Sequence, residues 1–223
     1  DLLIELAAPG PDDVVLDYAV VPGLAAFMLA PSVGVLESVA GRQDILEEGR
    51  RLAAEIGLTN TAFRLVDLFA LPHPAETFSL VTCCEGLHLS PDPTAALAEL
   101  RRVTTPSGRI VLVEPVVDEV LDGPFNELAG LLEPAHQRYY RIHELEQLAA
   151  KVGLRVASTS SVRRTVDLEY WVQTAGAPSA RAALVGERFR ALPVSVQLRL
   201  DAAFSDAAIS FSYEVCGLRL ERS

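Results

Sequence analysis

Four ring side chains stand where they could move a proton. His88 follows the apolar run Phe78 to Cys84, and His136 precedes Tyr139 and Tyr140 on a stretch punctuated by Pro115, Pro124 and Pro134. Imidazole titrates close to neutral pH, so a base for an acceptor that must lose a proton is drawn from His88, His136, Tyr139 and Tyr140. A packed, hydrogen-bonded histidine satisfies the same pattern without catalysis. Glu85 closes the run that precedes His88 and could face a ligand or cap the next segment. Cys83 and Cys84 have no basic neighbour in sequence and are read as packing residues. His73, between Pro72 and Pro74, and His143, at a helix start, are read as structural.

The elements that must position these groups follow from periodicity. Apolar runs of four to eight residues alternate with longer amphipathic segments, the pattern of strand–helix units around a mainly parallel sheet. Strands are expected at 14–17, 33–37, 62–66, 78–84, 109–114, 154–162 and 209–220, the fifth after a turn at Pro106-Ser107-Gly108. Helices are expected at 42–56, 93–103 and 142–152, the first and last stopping at Gly57 and Gly153. One domain over 1–223 is expected, with an insertion at 116–141 and a helical segment at 168–203 broken at Pro178 and Pro193. Phe125, Leu128, Leu131 and Leu132 form an apolar face on the insertion that could line a pocket or close the core. Glu169-Tyr170-Trp171 could roof a pocket or pack as aromatics.

Composition bounds the function classes. A net charge of -11, with the 19 basic residues scattered or in pairs, argues against binding nucleic acid. The apolar stretch Ala19 to Ala30 contains Pro22 and Gly23 and falls short of the roughly 20 residues of a membrane span. Three cysteines fit neither a disulfide framework nor a metal cluster, so a reducing, cytoplasmic setting and no metal are expected. The partner expected is a small-molecule substrate, with a homo-oligomer left open.

The stretch Val15-Leu16-Asp17-Tyr18-Ala19-Val20-Val21-Pro22-Gly23 occupies a strand-to-helix turn, where backbone amides would hold a nucleoside cofactor. It resembles the first motif of the class I S-adenosylmethionine-dependent methyltransferases, with Ala19 and Val21 at the first two glycine positions and Gly23 at the third. The order that follows is similar to the ubiquinone and menaquinone type of that family: Val66-Asp67-Leu68 and Leu71-Pro72, Phe78 to Val81, Leu87-His88-Leu89 before Asp92-Pro93, Pro106 to Arg109, then Glu114-Pro115. The resemblance covers roughly residues 1 to 155.

It implies a Rossmann-like, doubly wound, mainly parallel seven-stranded sheet with helices on both faces and an antiparallel last strand. It also implies S-adenosylmethionine as cofactor, with Asp17, Ala19 and Gly23 near its methionine end and Asp67 and Leu68 near its adenine. The family places an acidic residue at the end of the second strand to bind the ribose; Leu36 falls at that position and Glu37 beside it. The implied activity is methyl transfer to a small organic molecule. Ala19, Val21 and Leu36 together leave two other readings open: a methyltransferase-like binding or regulatory partner, and an enzyme of other chemistry on the same scaffold.

Overall fold

The computed structural model describes residues 2–19, 23–67, 69–175, 177–205 and 208–223. Val21 and Leu68, both part of the expected cofactor site, lie outside the described residues. The strands are β1 (Val14–Tyr18), β2 (Val35–Ala40), β3 (Thr61–Leu65), β4 (Phe78–Cys84), β5 (Thr104–Val116), β6 (Leu154–Asp167), β7 (Ala203–Phe204) and β8 (Ile209–Arg222). The helices are α1 (Leu2–Ala7), α2 (Leu24–Leu29), α3 (Gln43–Glu55), α4 (Pro93–Val103), α5 (Asp122–Leu132), α6 (Ile142–Lys151), α7 (Leu168–Thr174), α8 (Ser179–Arg190) and α9 (Val194–Arg199).

The sheet runs β3-β2-β1-β4-β5-β8-β6, with the two-residue β7 added on β8. Pairing is parallel from β3 through β5, and β8 is antiparallel to both β5 and β6. Seven strands form the expected path, and β7 is an eighth that the sequence reading does not contain. The strand order reverses beside β1, which lies between β2 and β4, so their carboxyl ends flank the crevice where open α/β sheets bind ligands.

Alternation along β1, β2, β4, β5 and β8 feeds two apolar layers. Val15, Leu36, Leu80, Val111 and Val113 join one layer with Phe125 and Phe211; Leu16, Val39, Val81, Ile110 and Leu112 join the other with Leu97, Leu145 and Leu218. Strands buried on both faces read as nearly continuous apolar runs, which is why they were visible in the sequence.

Three strands depart most from expectation. β2 begins two residues later than Val33 and runs on to Ala40, so Glu37 sits in its interior. β5 begins at Thr104 and includes Pro106-Ser107-Gly108. Phe78 pairs with Thr104 and Leu80 with Arg109, five steps on β5 against two on β4, so the expected turn is absorbed as a bulge. β6 extends to Asp167 because its pairing with β8 continues from Leu154↔Arg222 to Asp167↔Ser210. Pairing of β5 with β8 stops at Val116↔Glu214, so the outer part of the antiparallel β6–β8 pair stands beyond β5, and β6 leads into α7. Pro178 and Pro193 cap α8 and α9, matching the expected breaks.

Candidate active site

Asp17 lies within β1 and is buried, with Ser38 of β2 and Thr82 of β4 directly beside it in register. Both hydroxyls donate to its carboxylate, at 2.9 Å each. Burial pushes its pKa up to about 6, against the pull of those two hydrogen bonds. Asp17 therefore ties three strands together, with both carboxylate oxygens engaged. Just beyond it, the buried Ala19 donates its N–H to Val39 O at 2.8 Å. Gly23 has φ +68 and opens α2, and a Cβ there would come within 2.1 Å of the Phe27 ring. Only glycine fits that combination of left-handed backbone and overlying ring.

At the neighbouring strand ends, Glu37 receives Arg64 at 2.8 Å and His73 at 3.1 Å, well inside β2. The carboxyl end of β2 is Ala40, followed by Gly41 and Arg42, so the terminal position belongs neither to Leu36 nor to Glu37. Arg42 pairs with Asp44 and also feels the Glu133 carboxylate from the end of α5. Asp67, exposed after β3, accepts the Phe69 N–H on Oδ1 at 2.9 Å. His73 packs edge-on against Phe78, a structural placement.

The other wall is built around the end of β4. Glu85 has φ +55, a left-handed conformation that costs a non-glycine residue about 1 kcal/mol or more. Arg164, on the projecting part of β6, holds its carboxylate at 2.6 Å and lies over the Tyr213 ring. Glu114, near the end of β5, is buried and accepts three hydrogen bonds: Gly86 N–H at 2.8 Å, Leu87 N–H at 2.7 Å and His88 Nδ1 at 2.7 Å. Burial, the largest single effect, opposes charge on His88. The charge and hydrogen bond of Glu114, joined by the charges of Glu85 and Glu133, outweigh it and raise the imidazole above its ordinary range.

The insertion docks onto this wall. Gln137 and Arg138 donate their N–H groups to His88 O, at 2.9 and 3.2 Å, and Val117 N–H reaches Tyr140 O at 3.1 Å. The rings of His88, His136 and Tyr139 thereby gather, with centroids 5.7 Å (His88–His136), 5.0 Å (His88–Tyr139) and 4.5 Å (His136–Tyr139) apart. Burial and the neighbouring His88 push His136 down to about 4, and burial drives the Tyr139 hydroxyl well up. Tyr140 bridges to Val116 and is half-buried.

The structure thus gathers His88, His136 and Tyr139 beyond the end of β4 with Glu85 nearby, and leaves Glu37 and Asp67 on the far side of β1. Glu114, Asn126 and Arg164, which contact His88, His136 and Glu85, were not among the candidates. Glu114 carried a readable signal, a carboxylate near the end of an apolar strand; the other two carried none. Burial pushes the Cys83 and Cys84 thiols up, as suits packing residues. Phe125, Leu128 and Leu132 close the core, and Trp171 stacks on Phe125 at 5.3 Å. A separate cleft of about 610 Å³ opens between α7, α8 and the start of β8, lined in part by Asp167, Glu187 and Arg190. It contains none of the histidines. Among the described residues, no group of three or more His, Cys, Asp or Glu could hold a metal, and no helix is long and apolar enough to cross a membrane.

A mainly parallel sheet whose strand order reverses beside β1 defines a Rossmann-like α/β protein. The sequence matches the methyltransferase domain family over residues 9–159, and the chain belongs to that class I S-adenosylmethionine-dependent family. It is 27% identical over 182 residues to the uncharacterized methyltransferase YcgJ of Bacillus subtilis (strain 168), spanning 81% of this chain and 72% of that one. It is 35% identical over 142 residues to the demethylmenaquinone methyltransferase of Deinococcus radiodurans, spanning 62% of this chain and 54% of that one. The crystal structure of the B. subtilis YcgJ protein superposes with a TM-score of 0.91 at 23% identity, covering 100% of this chain and 97% of that one.

Proposed function

We propose that this chain transfers the methyl group of S-adenosylmethionine to a small organic molecule at the crevice between β1 and β4, with His88 taking the acceptor's proton. The observation that carries this reading is the buried His88–Glu114 pair at the carboxyl edge of a methyltransferase-family sheet. The cofactor supplies an electrophilic methyl group, so the protein's task is alignment and, for a protonated acceptor, a base.

Gly23 and Ala19 border the methionine end of such a site. Asp67, whose Oδ1 caps its own turn, keeps Oδ2 for the adenine amino group. The β2 end offers Arg42 and no carboxylate of its own, so the ribose hydroxyls are held by other groups. Glu114 receives Nδ1–H of His88, which fixes the ring and leaves Nε2 as the proton acceptor; the imidazolium then formed is stabilised by the same carboxylate. Membership of the family favours methyl transfer over a binding partner or another chemistry.

Calorimetric titration with S-adenosylmethionine and S-adenosylhomocysteine tests the reading. Saturable binding at micromolar concentrations is expected; silence at millimolar ligand would remove it. With binding established, His88→Ala is expected to lower kcat about a hundredfold or more while leaving cofactor affinity unchanged.

A further inference from the structure

Asn126, on α5, makes more contacts than a helix side chain needs for packing. Its Nδ2 donates to Asp122 O at 2.7 Å and to Tyr139 O at 3.2 Å, while its Oδ1 accepts Tyr139 N–H at 2.6 Å and meets His136 Nε2 at 2.9 Å. Three backbone groups therefore decide which end of the amide is oxygen. A carbonyl oxygen only accepts, so His136 Nε2 must carry its hydrogen, and in the neutral ring Nδ1 is bare.

The neutral ring is the form this site favours. His136 is partly buried beside His88, which resists a second positive charge. Around the pair stand the carboxylates of Glu85, Glu114 and Glu133, with Asp122 and Arg138 ion-paired behind Asn126. Among the described residues, His88 Nε2, His136 Nδ1 and the Tyr139 hydroxyl have no hydrogen-bond partner. Two bare imidazole nitrogens thus share one site.

We infer that Asn126 is a positioning residue: it locks His136 with hydrogen on Nε2, so that Nδ1 becomes a fixed acceptor for a second hydroxyl of the methyl acceptor, a neutral compound bearing two O–H groups. This rests on the methyltransferase reading. One hydroxyl gives its proton to His88 Nε2 as its oxygen takes the methyl carbon and the carbon–sulfur bond breaks; the other stays intact and hydrogen-bonded to His136. An anionic acceptor would face the carboxylates of Glu114 and Glu133, with Glu85 already paired to Arg164, and one without a second donor would leave a bare nitrogen unpaired.

The test is imidazole ¹⁵N NMR on histidine-labelled protein, with catechol as the probe and 1,2-dimethoxybenzene as its donor-free control. His136 is expected in the Nε2–H form at neutral pH, with its Nδ1 resonance moved by catechol and not by the dimethyl ether. Asn126→Asp keeps an acceptor on Nε2 and should keep that form while raising the pH at which His136 titrates. Asn126→Leu should leave a mixture of both neutral forms. A wild-type His136 carrying hydrogen on Nδ1 overturns the inference whether or not the leucine variant folds, and so does a catechol response equal to that of the ether, or none. These spectra need no cofactor, so a silent S-adenosylmethionine titration beside a positive tautomer result would count against methyl transfer alone.

Discussion

Glu114 sets the basicity of His88, and that makes the site sensitive to pH. His88 can accept a proton only when neutral, and its pKa lies above the ordinary histidine value, so methyl transfer is expected to rise with pH through a midpoint above about 6.5. Glu114→Gln removes the charge that raises it, and the midpoint of the pH–rate profile should move down. Asp17 yields a prediction about stability instead. Its folded pKa of about 6 exceeds the unfolded value near 3.9, so the native state binds this proton more tightly. Its contribution is therefore fully present below about pH 4 and is lost as pH rises to about 6, by up to about 3 kcal/mol. Asp17→Asn, whose amide can still bond both hydroxyls, should erase that slope in urea unfolding series run from pH 4 to 7. A slope that persists would assign it to other groups.

The insertion after β5 is the element that completes the site. It is fastened at both ends: Asp122 receives Arg138 at 3.0 Å and Arg141 at 2.8 Å, while the peptide groups of Gln137 and Arg138 hang from His88 O. The two arginines are partly exposed, so each ion pair by itself is worth little, and it is their shared carboxylate that makes them a unit. Asp122→Ala should therefore cost only about 1–2 kcal/mol globally. Locally it should speed amide exchange across 133–141 by about tenfold, read by hydrogen–deuterium exchange, with β4 unaffected. Equal acceleration throughout the sheet would show that the insertion does not open on its own.

Across the whole molecule, an aromatic cluster joins the projecting end of β8 to α5, α7 and α8. Phe211, fully buried on β8, lies 5.2 Å from Trp171, 4.9 Å from Phe189 and 6.0 Å from Phe125. Phe211→Ala should cost about 3–5 kcal/mol, because the surrounding rings belong to three separate helices and cannot all collapse into the space left. Trp171 is the sole tryptophan, so its fluorescence in urea measures the loss directly. A cost under about 1 kcal/mol would mean that this end of β8 and the helices are held elsewhere.

The strand and helix alternation, the breaks at Pro178 and Pro193 and the family were legible in the sequence alone. Those signals are local: burial on both faces makes a strand apolar along its length, and proline or glycine interrupts a helix wherever it falls. Tertiary structure decided what meets what. Ser38 and Thr82 reach Asp17 only because β2 and β4 flank β1 in one particular register, and the pairing of β2 with β3, Val39 opposite Arg64, brings Arg64 to Glu37. Glu114 reaches His88 across 26 residues because β4 and β5 pair in parallel, and Asn126 reaches His136 because the chain after α5 folds back over β4. Register shifts by whole residues and each step turns a side chain to the opposite face, so a local pattern marks a strand without fixing the partners of its side chains.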